Sequence, residues 1–538
     1  MTVTETPPEA APAPSVPADP APVVETIEVG GLAGVIGSGD HKVIGRLFIG
    51  FSLLFGLVNL VAGLLVSIDR IDGKLGNTIL TASTWNQVFT MQATGMVFLF
   101  LVPLLLGIAI CVVPLQVGAD AIAFPRAAAA SFWGWLLGSG AFIAAYGING
   151  GPGGGSSRGV NLWAASFAML LAALVLGAVC VVTTVFALRA PGMYLDRVPL
   201  FSWSMLVTGV VWILSFPVLI AVLGLIYVDH RYGQKSFGLN GPEMFDRISW
   251  VLRQPELYAF ATPILGLAAE VIPVASGQRQ AQRPVVMGAI GGFGVLGFGA
   301  FLQTTIYARA ATQPVVGAMA FLAILPVLVC LGAWATTLRS GKPRVIAPLA
   351  FAALAGLGLL LAVLGGAAAS VQRFDLQGTL FELGHANLTI FTAVLAAIGA
   401  LYYWATKING RPLPSGLGLL TAAVLVLGAL VSSLPYAISG AFGKGTDATA
   451  GIEGLNAVAA AGYGLVMLGV LLAILALVGG AKRSDDAPGD PWDGHTLEWS
   501  TASPPTADNF GQAPSVHSPE PLLDDAAQPD AASQEATA

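Results

Sequence analysis

Apolar runs of about 20 residues recur through most of this chain, and they constrain its fold more than any other feature. The chain is 55% hydrophobic and 10% charged, whereas soluble domains carry about 25% charged residues. A run of this length crosses a ~30 Å hydrocarbon layer as a helix. Because backbone polar groups in lipid must be satisfied within the segment, we predict an all-α integral membrane protein. The expected twelve transmembrane spans are 44–66, 94–117, 131–148, 162–188, 201–228, 249–275, 286–308, 313–338, 345–368, 381–404, 416–438 and 456–479.

Polar segments flank this predicted bundle at both ends. The first segment is rich in Pro and Ala and has no basic-then-apolar signal peptide. The last segment is polar and acidic, and both compositions are typical of disordered or surface-bound chain. We therefore expect three regions: a disordered cytoplasmic N-terminus at 1–37, a twelve-helix membrane domain at 38–483, and a cytoplasmic C-terminal tail at 484–538.

The distribution of Lys and Arg between alternate loops predicts the orientation in the membrane. More of these residues lie in the loops on the side of the two termini than in the loops on the other side. Cytoplasmic loops carry such an excess. We therefore predict a multi-pass protein of the cell inner (plasma) membrane with both termini in the cytoplasm, and the lipid bilayer as its first partner. No motif in the chain indicates nucleic-acid binding.

Two features of the sequence resemble functional motifs but favour simpler interpretations. The Gly-rich segment 150–155 lacks the Lys-Ser/Thr ending of a phosphate-binding loop, so we predict a flexible outer loop. The three cysteines, Cys111, Cys180 and Cys330, lie in apolar runs and form no CxxC pair. They are expected to be small core residues rather than a disulfide framework.

Short polar motifs mark the ends of several spans. They include Asp40-His41-Lys42, Thr84-Trp85-Asn86-Gln87, Val113-Pro114-Leu115 and, in the tail, Asp490-Pro491-Trp492, Thr496-Leu497-Glu498-Trp499 and Ser503-Pro504-Pro505. With these motifs the chain from about residue 38 to 512 resembles subunit I of the haem-copper oxidases, of an actinobacterial type. The resemblance implies a twelve-helix bundle that oxidises cytochrome c, reduces oxygen and pumps protons. It also implies six histidines that hold two haems and a copper.

Most of those histidines are absent from this sequence. The chain has five histidines, and only His385 lies inside a predicted span. Imidazole suits both haem iron and copper, whereas an amide is a weak iron ligand. The resemblance implies two axial histidines at the low-spin haem and three histidines at the copper. None of these five positions is a histidine in this chain. The residues at these five positions are Gln92 and Asn387 for the haem, and Gln254, Gln303 and Thr304 for the copper.

His385 corresponds to the implied ligand of the oxygen-reacting haem. An ionisable residue inside a membrane span is a candidate functional site by default. His385 could hold one remaining haem, or it could be a core histidine hydrogen-bonded to a neighbour such as Asn387 or Glu382. Beyond that single candidate we expect no cofactor, and we expect no copper.

Glu256 and Tyr258 remain at positions that the resemblance implies for proton delivery and for a redox tyrosine. Arg253 precedes them, and residues at i and i+3 share one face of a helix. Because a charge inside a bilayer usually has a partner, we predict a buried ion pair between Arg253 and Glu256. Such a pair would leave Glu256 ionised and unsuited to relaying protons.

Three functions remain open from the sequence, and whether the chain is an enzyme is undecided. The first is a redox-inactive paralogue that acts as a scaffold, assembly factor or regulatory partner of a respiratory complex. The second is a terminal oxidase subunit with unusual ligands. The third is a transporter or channel that uses the emptied metal cavity.

Overall fold

The computed structural model describes residues 31–75, 79–233, 243–305, 309–479, 489–512 and 514–527, without the side chains of 32–33, 303–305 and 309–312. The chain divides into two units, residues 1–38 and residues 39–538. Of the first unit, only the end is described, where Gly31–Ile36 forms a short helix. The predicted N-terminal region 1–37 therefore lies almost entirely outside the described residues. Residues 484–488, 513 and 528–538 of the predicted tail, and 480–483 at the end of the predicted membrane domain, also lie outside the described residues.

Among its described residues, the second unit has twelve helices that are long and apolar enough to cross a membrane, which confirms the predicted fold class. The described residues contain no β-strand beyond one isolated bridge, between Thr379 and Gly445. In chain order, and named below as the first to the twelfth span, the helices are His41–Asp69, Ala82–Gln116, Pro125–Gly147, Ser157–Ala187, Leu200–Tyr232, Glu256–Ser276, Arg283–Leu302, Gln313–Ser340, Ala347–Ser370, Leu380–Tyr403, Ser415–Ala441 and Glu453–Gly479.

Two boundaries differ clearly from the predicted ones. The second span begins at Ala82 rather than 94, because Thr81 caps it by accepting a hydrogen bond from the Thr84 backbone N–H. The sixth span begins at Glu256 rather than 249. Pro255 has no N–H to donate and disfavours a helical residue before it. A short helix, Glu243–Ile248, and the 3-10 turn Ser249–Leu252 therefore end before Arg253 and do not continue into the span.

The second, sixth and tenth spans form the centre of the bundle. The most apolar stretch of each is almost completely enclosed by protein, whereas most other spans leave one side uncovered. Helices that are hydrophobic on every side are typical of such a position. These three central spans carry Gln92, Glu256, Tyr258, His385 and Asn387, so the region of the implied metal sites lies in the core.

Glycines allow the eleventh and twelfth spans to pack backbone to backbone. A Cβ on Gly462 would fall on the backbone nitrogen of Ser432, and a Cβ on Gly428 would lie 2.7 Å from the nitrogen of Val466. Small residues at such crossings let membrane helices approach closely.

The described part of the tail packs against the helix ends on one side of the bundle, which we call the tail face. The Trp492 indole donates to the Tyr403 carbonyl at 2.9 Å. Asn509 donates to the Ala119 carbonyl at 2.8 Å and lies within hydrogen-bonding distance of His41. The tail residues that resemble a family signature are therefore part of the packed structure.

The Gly-rich segment between the third and fourth spans is anchored by Gln87 of the second span. The Gln87 amide accepts from the Gly151 N–H at 2.7 Å and donates to the Pro152 carbonyl at 3.2 Å. These bonds fix part of a loop that the sequence predicts to be flexible. The three cysteines are buried and free, as expected for core residues.

Candidate functional site

Tyr463 of the twelfth span lies between the two positions at which the resemblance implies axial haem ligands. Its hydroxyl donates to Asn387 Oδ1 at 3.0 Å and also interacts with the Gln92 side chain. The Tyr463 hydroxyl therefore joins the two side chains that would have to hold a haem at this position. The ring packs edge-on against Phe391, with centroids 5.3 Å apart.

The first span packs closely against Tyr463 and Gln92. A Cβ on Gly63 of the first span would lie 2.6 Å from the Tyr463 ring and 3.3 Å from Gln92 Cγ. Sequence reasoning missed Tyr463, because a tyrosine in an apolar helix is an ordinary residue until its contacts are known. The absence of histidine at Gln92 and Asn387 was the only available signal.

His385 of the tenth span is buried and bonded to Tyr258 of the sixth span. The Tyr258 hydroxyl lies 3.2 Å from His385 Nε2, and the two rings meet edge-on with centroids 5.9 Å apart. The sequence led us to expect Asn387 or Glu382 as the histidine's partner. The observed partner, Tyr258, comes from another span.

The ninth span fills the remaining space beside this pair. A Cβ on Gly366 would collide with the Tyr258 hydroxyl and with Gln254 Oε1, and it would lie 3.1 Å from His385 Nε2. The Tyr258 hydroxyl also lies 3.4 Å from the Ala362 carbonyl. Backbone of the ninth span therefore packs directly against the three side chains.

These residues do not fit a haem at either implied position. An imidazole nitrogen has either a lone pair or a proton, and in this arrangement His385 Nε2 is taken up by its hydrogen bond with Tyr258. At the other position the Tyr463 hydroxyl stands between two amides, which are weak iron ligands. We therefore derive no redox step through these side chains.

The predicted ion pair between Arg253 and Glu256 is absent. Glu256 Oε2 instead accepts from the Gly299 N–H at 2.7 Å, and Arg253 is exposed, with extended backbone before the sixth span. The i and i+3 spacing fails because the helix starts only after Pro255, so the two residues do not share a helical face. Glu256 Oε1 is buried and makes no hydrogen bond of normal geometry, although the Ser215 side chain lies close enough to interact with the carboxyl group.

Of the three implied copper positions, only Gln254 has a described side chain. Gln254 is half-buried and its amide oxygen lies 3.5 Å from the Tyr258 hydroxyl. Gln303 and Thr304 lie in the short helix Ala300–Thr305, but their side chains fall outside the described part of the chain. Within the described part, no three His, Cys, Asp or Glu side chains are grouped to hold a metal ion.

A second buried polar cluster lies at the tail face, and sequence reasoning missed it. Glu498 Oε1 accepts from Gln116 at 3.0 Å and from the Trp404 indole at 3.1 Å. Burial raises the pKa of this carboxyl. Nearby, Lys407 donates to the Thr501 carbonyl at 2.6 Å, and burial lowers its pKa to about 8. The cluster ties the tail to the ends of the second and tenth spans.

Comparison with known proteins gives the same family along almost the whole bundle. The family model described as cytochrome c and quinol oxidase polypeptide I matches residues 43–481. A probable cytochrome c oxidase subunit 1-alpha of Streptomyces avermitilis is 30% identical, covering 90% of this chain and 88% of the relative. A putative subunit 1-beta of Streptomyces coelicolor is 30% identical, with 90% and 89% coverage. A probable subunit 1 of Bradyrhizobium diazoefficiens is 28% identical, with 89% and 76% coverage. The resemblance found in the sequence is thereby confirmed, and the chain belongs to the haem-copper oxidase subunit I family.

Proposed function

We propose that this chain is a redox-inactive member of its family that serves as a structural, assembly or regulatory partner of a respiratory complex. The observation that carries the proposal is the Tyr463 hydroxyl between Gln92 and Asn387. Passing electrons from cytochrome c to oxygen requires redox-active metals. The described side chains at the implied haem positions instead contact a tyrosine: Gln92 and Asn387 contact Tyr463, and His385 contacts Tyr258.

The packing of the tail supports retention of the scaffold. Glu498 and Trp499 are buried against the bundle, so this family-like signature maintains the fold at a face remote from the implied metal positions. A chain that keeps its fold while losing its ligands is suited to binding partners rather than to catalysis.

The two alternatives have unequal support. The names of the relatives favour a working terminal oxidase, because they describe oxidase subunits that match this chain almost end to end. A transporter through an emptied cavity has less support, since Tyr258 and His385 contact each other and Arg253 is exposed outside the sixth span.

We further infer that the protein lies in the plasma membrane with both termini, and hence the tail face, in the cytoplasm. The excess of Lys and Arg in the loops on that side supports this orientation. Reporter fusions after Gly479 and after Tyr232 test it: the first should be active only as a cytoplasmic reporter, and the second only as an external one.

Affinity purification from native membranes, followed by substitution of His385, tests the proposed function. We expect subunits of a respiratory complex to co-purify, and His385→Gln to leave both their recovery and membrane oxygen consumption at wild-type levels. Gln keeps a polar side chain there but is a weak iron ligand. His230→Gln, at the far end of the fifth span, is the matched control.

Two results would contradict the proposal. One is recovery of the chain without any respiratory subunit. The other is loss of oxygen consumption with His385→Gln while the chain accumulates normally in the membrane, which would favour the oxidase.

A further inference from the structure

A groove on the lipid-facing side of the bundle lies between the first, tenth and twelfth spans. It has a volume of about 390 Å³ and continues along the short helix Ala405–Asn409. Its walls are almost entirely aliphatic and include Leu53, Leu57, Leu401, Ile474 and Leu477. A concave aliphatic surface at membrane depth faces hydrocarbon rather than water.

The length of the groove corresponds to one leaflet of a bilayer. Along the first span it extends from Arg46 to Leu57, which at 1.5 Å per residue is about 16 Å. Half of a ~30 Å hydrocarbon core is roughly 15 Å. The groove therefore runs from the tail face to about the middle of the membrane.

The polar end of the groove carries a positive charge. Arg46 is exposed there, and its Nε donates to the Lys42 carbonyl at 3.2 Å. Across the described ranges, the three ion pairs are Lys42–Asp40, Arg279–Asp524 and Arg344–Asp493, so none of the carboxylates in those ranges pairs with Arg46. The half-buried Asn409 adds an amide at the same end.

We propose that this groove binds a phospholipid, with one acyl chain between the three spans and a negatively charged headgroup paired with Arg46. The aliphatic walls exclude water from the chain, and an arginine at the interface attracts anionic lipid by about 1 kcal/mol. The site is independent of the implied metal positions and of the proposed scaffold role.

Two substitutions separate the contributions of the chain and the headgroup. Gly50 lines the groove, and a Cβ placed on it meets nothing within 4 Å, so Gly50→Leu fills the groove without disturbing the fold. Arg46→Gln removes the charge and keeps a polar side chain. Matched controls are Gly140→Leu, at an equally open glycine of the third span, and Arg126→Gln, at an exposed arginine outside the groove.

Native mass spectrometry of the full chain, titrated with phosphatidylglycerol or phosphatidylcholine in detergent, measures the binding. We expect one phosphatidylglycerol to be retained per chain in preference to phosphatidylcholine. Arg46→Gln should weaken phosphatidylglycerol binding about 5-fold and leave phosphatidylcholine unchanged. Gly50→Leu should weaken the binding of both lipids, and the two control variants should match the wild type.

Equal affinity of the wild type for both lipids would overturn the assignment of the headgroup. Unchanged binding by Gly50→Leu would overturn the groove itself. Size-exclusion profiles like that of the wild type establish that each variant is folded.

Discussion

Tyr463 is the side chain that connects the polar residues at the centre of the bundle. Its hydroxyl links the second, tenth and twelfth spans through Gln92 and Asn387. Amides buried in the core need hydrogen-bond partners, because an unsatisfied buried polar group costs about 1–3 kcal/mol. The tyrosine supplies such a partner and fills the space.

Tyr463→Phe should therefore destabilise the protein. The substitution leaves Asn387 Oδ1 without its donor, and Asn387 Nδ2 already lacks a partner. We expect the free energy of unfolding to fall by about 1–3 kcal/mol, measured by denaturant titration in detergent. Tyr232→Phe, at an exposed tyrosine, should change it by less than about 0.5 kcal/mol. Equal values for the two variants would show that the Tyr463 hydroxyl bonds nothing that matters for stability.

Lys407 at the tail face should make stability depend on pH in the alkaline range. Burial lowers its pKa from 10.5 to about 8 in the folded protein, although the neighbouring Glu498 and Asp490 oppose the shift. The folded chain then binds fewer protons than the unfolded chain between those values. The free energy of unfolding should consequently rise with pH from 8 to 10.5, by up to about 1.4 kcal/mol per pH unit.

Comparison with Lys407→Met isolates this effect from other titrating groups. The variant keeps the length of the side chain but has no proton to lose. We expect the wild type to gain stability relative to Lys407→Met between pH 8 and 10 in thermal denaturation. Parallel pH profiles for the two proteins would show that the pKa of Lys407 is not lowered in the folded protein.

At the scale of the helices, the crossing of the eleventh and twelfth spans depends on Gly462. A Cβ there would meet the backbone of Ser432, which cannot rotate away as a side chain can. Gly462→Ala should lower the free energy of unfolding by about 1–3 kcal/mol. Gly464→Ala, two residues along the same helix in open space, should be neutral or slightly stabilising, because Ala favours helix over Gly. A neutral Gly462→Ala would mean that the two helices do not touch at this point.

The helices were the most predictable part of the molecule. Hydrophobic length alone located all twelve spans, since a membrane imposes the same length on each. The errors arose where polar chemistry decided the boundary. The Thr81 cap extended the second span into a polar segment, and Pro255 delayed the start of the sixth, which also removed the predicted pairing of Arg253 with Glu256.

For the whole molecule, the sequence indicated what had been lost at the implied metal positions but not what had replaced it. The absence of a histidine can be read from the sequence at each single position. The contacts that fill the space, Tyr463 with Asn387 and Tyr258 with His385, join residues far apart in the chain. Only the arrangement of the spans brings them together, and the packing of the tail depends on the fold in the same way.

The content of haem and metal in the native protein tests the proposed loss of redox function most directly. We would purify the full chain from its native membrane, record reduced-minus-oxidised visible spectra, and count iron and copper per chain. We predict no haem bands and no stoichiometric iron or copper, because Tyr463 and Tyr258 engage the side chains at the implied ligand positions. Two haems and a copper per chain would contradict this and establish a working oxidase.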